Sequence, residues 1–323
     1  METILVTGGL GFIGANFISK ILKSDYNIIN IDFQTYASID TKILNFDKYS
    51  NYKYFKVNIN DFKAVDKIIN NFDINKIIHF AAESHVDNSI IDPLLFAKTN
   101  ILGTLNLLES FKKTKISKKL FVHISTDEVY GSIKNKKFNE ESSYLPNSPY
   151  SASKASSDHL VRSYYKTFDL PVIITNCCNN FGPYQNKEKL IPTVIKSLIL
   201  GEKIPVYGTG ENIREWIFVG DHIDAIIHLI KFGHIGENYC IGSGNEFSNI
   251  ELVKYICKVF DKINNSKNSK KLISFIKDRK GHDFRYALDS SKIKKTGWRL
   301  NSSFDLEIEN TINWYLNNKN FLI

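Results

Sequence analysis

The chain has 323 residues, 43% apolar and 24% charged, the ordinary balance of a globular protein with one or two domains. No apolar run approaches the roughly 20 residues that span a bilayer, and Met1–Val6 lacks the basic and apolar stretches of a signal peptide, so a cytoplasmic protein without a membrane partner is expected. The net charge of +8 comes from scattered lysines, many in polar stretches such as Lys262–Lys271, and no helix-turn-helix or RNP-like pattern points to nucleic acid.

In chain order, strand-like and helix-like segments alternate. Thr3–Thr7 reads as a strand, Phe12–Lys23 as a helix and Tyr26–Phe33 as a second strand. Tyr54–Asn58 is a third strand, Asp61–Asn71 a helix and Lys76–Ala81 a fourth strand. A helix over Asn100–Phe111, a strand at Leu120–Ser125, a helix over Tyr150–Thr167 and a strand at Val172–Asn176 complete the first half. Continuous apolar strands between helices predict a Rossmann-type, doubly wound parallel α/β sheet. After about residue 179 proline and glycine become frequent, and helical spacing returns at Leu190–Leu200, Asp221–Phe232, Asn249–Phe260 and Phe304–Leu316. Asp261–Lys271 reads as a polar loop. The expected division is a cofactor domain at 1–178, joined by segments around 215–245, and a smaller C-terminal α/β substrate lobe in 179–323.

Thr7–Gly14 lies between the first strand and first helix, with Gly8, Gly11 and Gly14 spaced as G-x-x-G-x-x-G. Such a turn needs glycine for tightness, for close approach to a pyrophosphate and for helix-to-strand packing. The following helix N-terminus offers free N–H groups to the phosphates. Asp32 ends the second strand, 18 residues after Gly14, where a carboxylate accepts from ribose hydroxyls and repels a 2′-phosphate. NAD is therefore favoured over NADP.

Tyr150 and Lys154 form a Y-x-x-x-K pair on one helical face. The ammonium is expected to lower the phenol pKa and make Tyr150 a base for a sugar hydroxyl. The strand Leu120–Ser125 runs into Thr126, Asp127 and Glu128, at the edge where ligands sit in open parallel sheets. Thr126 can bond the reacting hydroxyl. A plain dehydrogenase needs neither adjacent carboxyl, whereas an elimination needs an acid and a base. The four cysteines show no C-x-x-C spacing, and no His/Asp/Glu cluster suggests a metal.

With T-G-G-x-G-F-I-G at Thr7–Gly14, Ala81–Asp87, Thr99–Thr104, Ser125–Gly131, Ser148–Leu160, Asn176–Tyr184, Glu188–Pro192, Arg214–Trp216 and Asp278–Asp289, the chain closely resembles the nucleotide-sugar 4,6-dehydratases, extended members of the short-chain dehydrogenase/reductase type. The resemblance implies NAD-dependent conversion of a nucleoside-diphosphate glucose, dTDP- or UDP-linked, to a 4-keto-6-deoxy sugar. Tyr150 would take the O4 proton as C4 is oxidised, Glu128 the C5 proton, and Asp127 would protonate the departing 6-hydroxyl. Cofactor contacts would fall on Phe12, Ile13, Asp32, Ile59, Ala81, Ala82, Thr99, Tyr150, Lys154 and Asn180. Substrate contacts would fall on Ser84, Thr126, Asn179, Lys189, Arg214, Asn249 and His282. A homodimer is implied, with the helices near Asn100–Phe111 and Tyr150–Thr167 at its interface. Lys280 and Phe284 depart from the family pattern and leave the nucleotide open. A 4-epimerase would share Tyr150 and Lys154 without needing Asp127 and Glu128, and a silent NAD-binding module would need none of the five.

Overall fold

A computed structural model describes residues 1–323. Twelve strands occur in chain order. The first six are β1 (Glu2–Thr7), β2 (Tyr26–Asp32), β3 (Tyr52–Lys56), β4 (Ile74–His79), β5 (Leu120–Thr126) and β6 (Val172–Cys177). The others are β7 (Asn179–Phe181), β8 (Ile204–Tyr207), β9 (Ile213–Phe218), β10 (Asn238–Ile241), β11 (Glu246–Ser248) and β12 (Ile273–Ile276). The main sheet has seven parallel strands in the order β10-β6-β5-β4-β1-β2-β3. The order reverses beside β1, and there the carboxyl ends of β1 and β4 leave the crevice typical of doubly wound sheets.

Both faces of the sheet are covered, which is why its strands read as unbroken apolar runs. Alternate residues serve opposite cores. Ile4 and Val6 of β1 pack with Phe17 and Ile18 of the helix Phe12–Ile21 and with Ile223 and Ile226 of the helix Val219–Phe232. Leu5 between them packs on the other side, with Val65, Leu107, Phe111 and Val161. A third core joins the helices Leu190–Leu200, Asn249–Asn264 and Phe304–Asn317. Two small sheets, β11-β9-β7 and β12-β8, border that region. No helix is long and apolar enough to cross a membrane.

Several boundaries differ from expectation, among them the fourth strand, which is Ile74–His79 rather than Lys76–Ala81. The third strand is Tyr52–Lys56, two residues early, because Ile28 to Asp32 of β2 pair with Tyr52 to Lys56. The helix expected from Asn100 starts at Pro93, passes through a widened π-type turn at Ala97–Gly103 and continues as Thr104–Lys113. The polar run at Asp261–Lys271 is not all loop. The helix from Asn249 continues to Asn264, where Asn265 closes it in the left-handed region (φ 50°) that asparagine tolerates. Asp261 folds the turn back by accepting from Ser266 Oγ at 2.7 Å and Ser269 N at 3.1 Å.

Candidate active site

The glycine turn is built by close backbone approach. Gly8 has φ +70°, and a Cβ there would lie 2.6 Å from the Ala81 nitrogen. A Cβ on Gly14 would strike the Gly8 carbonyl oxygen and sit 2.9 Å from Gly9 Cα. Gly11 caps the helix Phe12–Ile21 without a side-chain bond, so the first N–H groups and the positive dipole end face the crevice. Asp32 stands beside this turn. Its Oδ2 accepts from Leu10 N at 3.0 Å, and its Oδ1 from Gln34 N at 2.8 Å and Ser38 Oγ at 2.9 Å. These residues fit a dinucleotide: a cradle that any side chain would fill, a helix N-terminus for phosphates and a carboxylate at the ribose end.

The helix Pro149–Phe168 begins at the carboxyl edge of the sheet because Ser148 caps it. Ser148 Oγ accepts from Ser151 N at 3.0 Å, Ser151 Oγ accepts from Ser148 N at 3.0 Å, and Pro149 occupies the first turn. Tyr150 is thereby held in the first turn, its ring edge-on to Phe96. Lys154 is buried, and its Nζ donates to the Ile124 carbonyl at 2.8 Å. Burial pulls the ammonium down to about 8, and Asp158 works against that pull.

The expected lowering of the Tyr150 phenol is not found in the free protein. Burial raises its pKa well above the ordinary value, with the Glu128 charge adding to it. Lys154 directs one donor to the Ile124 carbonyl and makes no hydrogen bond to the phenol, and a Thr126 hydrogen bond is the one influence on the phenol in the opposite direction.

Thr126 ends β5, and its Oγ1 donates to Asp127 Oδ1 at 3.2 Å while accepting from Glu128 N at 3.3 Å. Asp127 is 1% exposed, and its Oδ2 has no partner. Burial, then Glu128 and Glu215, push its carboxyl well above the usual range, which favours the protonated acid. Glu128 is also raised by burial, but Arg279, Arg214 and Lys189 pull it back. Adjacent carboxyls thus sit in different environments, the arrangement that separates an acid from a base.

Cations border Glu128. Lys189 precedes the helix Leu190–Leu200 and donates to the Ser84 carbonyl at 2.9 Å. Arg214 on β9 is 4% exposed and forms no ion pair with Glu215 or Glu211. Its guanidinium lies 4.3 Å from the Tyr286 ring centroid and donates to the carbonyls of Ile213 and Asp283 at 2.7 and 2.9 Å. His282 Nδ1 pairs with Asp278 Oδ1 at 2.7 Å.

One cleft brings together most of the residues singled out in the sequence. Gly8, Gly11, Phe12, Ile13, Gly14 and Ala82 line its cofactor end. Thr126, Asp127, Glu128, Tyr150 and Lys154 line its centre, with Ser84, Asn179, Asn180 and Lys189 beside them. Asn180 turns its side chain away, bonding His222 Nδ1 at 2.8 Å and the Cys178 carbonyl at 3.0 Å. Asp32, Ile59, Ala81, Thr99, Arg214, Asn249 and His282 lie outside that cleft. Ala81 backs Gly8, and Ile59 is buried against Gly103. Thr99 sits on the π-type turn. Asn249 opens its helix next to β11, which pairs Phe247 with Arg214.

Known proteins resemble the chain over nearly all of its length. The model of the GDP-mannose 4,6 dehydratase family matches residues 5–311. The chain belongs to that family. A dTDP-glucose 4,6-dehydratase of Escherichia coli is 45% identical over 98% of this chain and 94% of its own length. One from Xanthomonas campestris is 42% identical, covering 100% of this chain and 95% of that protein. A Streptomyces venezuelae dTDP-glucose 4,6-dehydratase structure with NAD bound superposes with a TM-score of 0.92 at 38% identity, over 99% of this chain and 98% of that one. A UDP-glucose 4-epimerase of Thermotoga maritima shares the fold at a TM-score of 0.89 but only 26% identity, over 98% and 100% of the chains.

Two residues of this dehydratase site escaped the sequence reading. Asn100 joins the stretch after β4 to the helix that carries Tyr150: its Nδ2 donates to the Glu83 carbonyl at 3.0 Å and to Ser153 Oγ at 2.8 Å, and its Oδ1 accepts from Glu83 N at 2.9 Å. Arg279 adds its charge at Glu128, Lys189, Arg214 and His282, and its buried Nε has no partner. Both lie inside stretches already recognised, Thr99–Thr104 and Asp278–Asp289, where polar residue type alone did not single them out.

Proposed function

We propose that the chain is an NAD-dependent hydro-lyase that converts dTDP-glucose to the 4-keto-6-deoxy sugar nucleotide. The observation that carries this reading is the adjacent carboxyl pair, Asp127 raised by burial with its Oδ2 unpartnered beside a cation-flanked Glu128, next to Tyr150 and Lys154. Bound in the glycine cradle against Gly8, Gly11, Phe12, Ile13, Gly14, Asp32 and the strand ends at Ala81 and Ala82, NAD supplies a two-electron carrier for C4 oxidation and C6 reduction. With the positive charge of bound NAD beside it, the Lys154 ammonium draws the phenol down, and Tyr150 takes the O4 proton while Thr126 holds that hydroxyl. The 4-ketone acidifies C5–H, which Glu128 removes. Asp127 gives its proton to the 6-hydroxyl, which leaves as water. A proton returns to C5 and the hydride to C6. Tyr150 then carries one extra proton and Asp127 one too few. Thr126, bonded to Asp127 and beside Tyr150 in the cleft, is placed to reset them.

The same reading assigns residues 179–323 mainly to the nucleotide sugar, with Arg214, Arg279 and Lys189 as cations for its diphosphate. The full-length relatives reported above are named for dTDP-glucose, which supports that nucleotide over UDP-glucose. A homodimer accompanies it: Ile91, Leu94 and Leu102, at 82%, 69% and 51% exposure, make an apolar stripe leading into the helix Thr104–Lys113. A second copy covering that stripe agrees with the interface expected near Asn100–Phe111 and Tyr150–Thr167. With no membrane partner in this scheme, we place the enzyme in the cytoplasm.

Purified protein should be incubated separately with dTDP-glucose and UDP-glucose and the product mass followed. Loss of one water without added reductant, migration of C4 label to C6 and solvent deuterium at C5 are expected with dTDP-glucose. Equal or faster turnover of UDP-glucose would overturn the nucleotide assignment. An unchanged mass with a galactose product would replace dehydration by 4-epimerisation.

A further inference from the structure

The helix Pro149–Phe168 carries a third buried ionisable group that the scheme above leaves unused. Asp158 follows Lys154 by four residues and Tyr150 by eight, so the three share one face. Asp158 Oδ2 accepts from Ser125 Oγ at 2.8 Å, Tyr144 OH at 2.9 Å and Asn176 Nδ2 at 3.1 Å. Its Oδ1 faces His123 Nε2 at 3.2 Å, and that nitrogen stands 3.5 Å from Lys154 Nζ.

The groups whose charges reach Lys154 come from every element packed on it, and all but one are neutral. His79 on β4 is pushed well down by burial. His123 on β5 is lowered to about 4 by burial, then by the Lys154 charge. Cys177 on β6 is pushed up to about 12 by burial. Tyr150, on the same helix, is raised by burial and by Glu128. Asp158 alone is an anion: burial raises its carboxyl, but His123, Lys154 and Ser125 together bring it below its ordinary value. A buried ammonium without a counter-charge gives up its proton. All three polar contacts of His123, to Ser157 Oγ at 3.2 Å, Asp158 and Lys154, use Nε2, and its Nδ1 has no partner, so the ring does not pass protons between Asp158 and Lys154. The coupling is electrostatic.

We propose that Asp158 is a positioning residue for the reaction, the buried counter-charge that, meeting Lys154 at His123 Nε2, keeps Lys154 an ammonium behind Tyr150. The proposal rests on the roles given above to Tyr150 and Lys154. The test follows the first hydride transfer against pH in the NAD-loaded protein, for wild type, Asp158→Asn and Tyr144→Phe. Wild type should lose rate as pH rises through about 8, where Lys154 gives up its proton. Asp158→Asn should move that limb down by about one pH unit or more, with NAD content and melting temperature kept. Tyr144→Phe removes a neutral donor from the same carboxylate and should leave the limb in place. An unmoved limb in folded Asp158→Asn, or an equal displacement in Tyr144→Phe, overturns the proposal. Should Asp158→Asn not fold, nitrogen-15 titration of Lys154 in the wild-type holoenzyme decides. A proton lost near pH 8 or above supports the counter-charge, and a neutral amine by pH 7 refutes it. Full hydride transfer in Lys154→Ala would instead refute the role of Lys154 itself.

Discussion

Gly14→Ala tests the cofactor cradle with a single methyl group. The added Cβ would strike the Gly8 carbonyl oxygen and lie 2.9 Å from Gly9 Cα and 3.0 Å from the Gly8 carbonyl carbon. All three are backbone atoms, so no side chain can swing aside. The Gly8 carbonyl is also anchored, accepting from Gly11 N at 3.1 Å. Overpacking of this kind costs about 1–3 kcal/mol. The free protein can relieve part of it by shifting the turn away from the helix Phe12–Ile21, but a bound pyrophosphate requires the turn to return. Since about 1.4 kcal/mol is tenfold in affinity, NAD should bind about 10- to 100-fold more weakly. Isothermal titration on stripped protein, with a parallel melting curve, separates the two costs. Wild-type NAD affinity with an unchanged melting temperature would refute the cradle.

Glu128→Gln should leave NAD bound and abolish solvent deuterium incorporation at C5, followed by mass spectrometry. Asp127→Asn should keep that C5 exchange while slowing water loss by about 10²–10⁴-fold, the usual contribution of a positioned acid. Ile91→Asp combined with Leu94→Asp should turn a dimer into a folded monomer in sedimentation experiments, and an unchanged mass would place the interface elsewhere. Burial holds His222 at about 3, so neutral His222 stabilises the fold fully above its unfolded value of about 6.5 and less as pH falls toward 3. The stability difference between wild type and His222→Gln, from urea unfolding, should therefore shrink by about 1.4 kcal/mol per pH unit below about 6.5. A difference independent of pH would refute the assignment.

The sequence by itself determined much of this protein. Unbroken apolar strands between helices specify a parallel sheet, because each such strand must be buried on both faces. The order strand, glycine turn, helix places Gly8, Gly11 and Gly14 under a phosphate, and four-residue spacing puts Tyr150 and Lys154 on one face. Element centres were legible for the same reason, and boundaries less so: β3 begins at Tyr52 because its register with β2 is a pairing between distant segments.

Only the tertiary structure decided the electrostatics. Asp127 and Glu128 are neighbours in sequence, yet one is buried with an oxygen left unpartnered while the other faces Arg214, Arg279 and Lys189 from three remote segments. Sequence spacing suggested that Lys154 lowers Tyr150; packing turned the ammonium toward Ile124 and placed Asp158 behind it. Charges act through space and their strength depends on burial, and neither quantity is set by position along the chain.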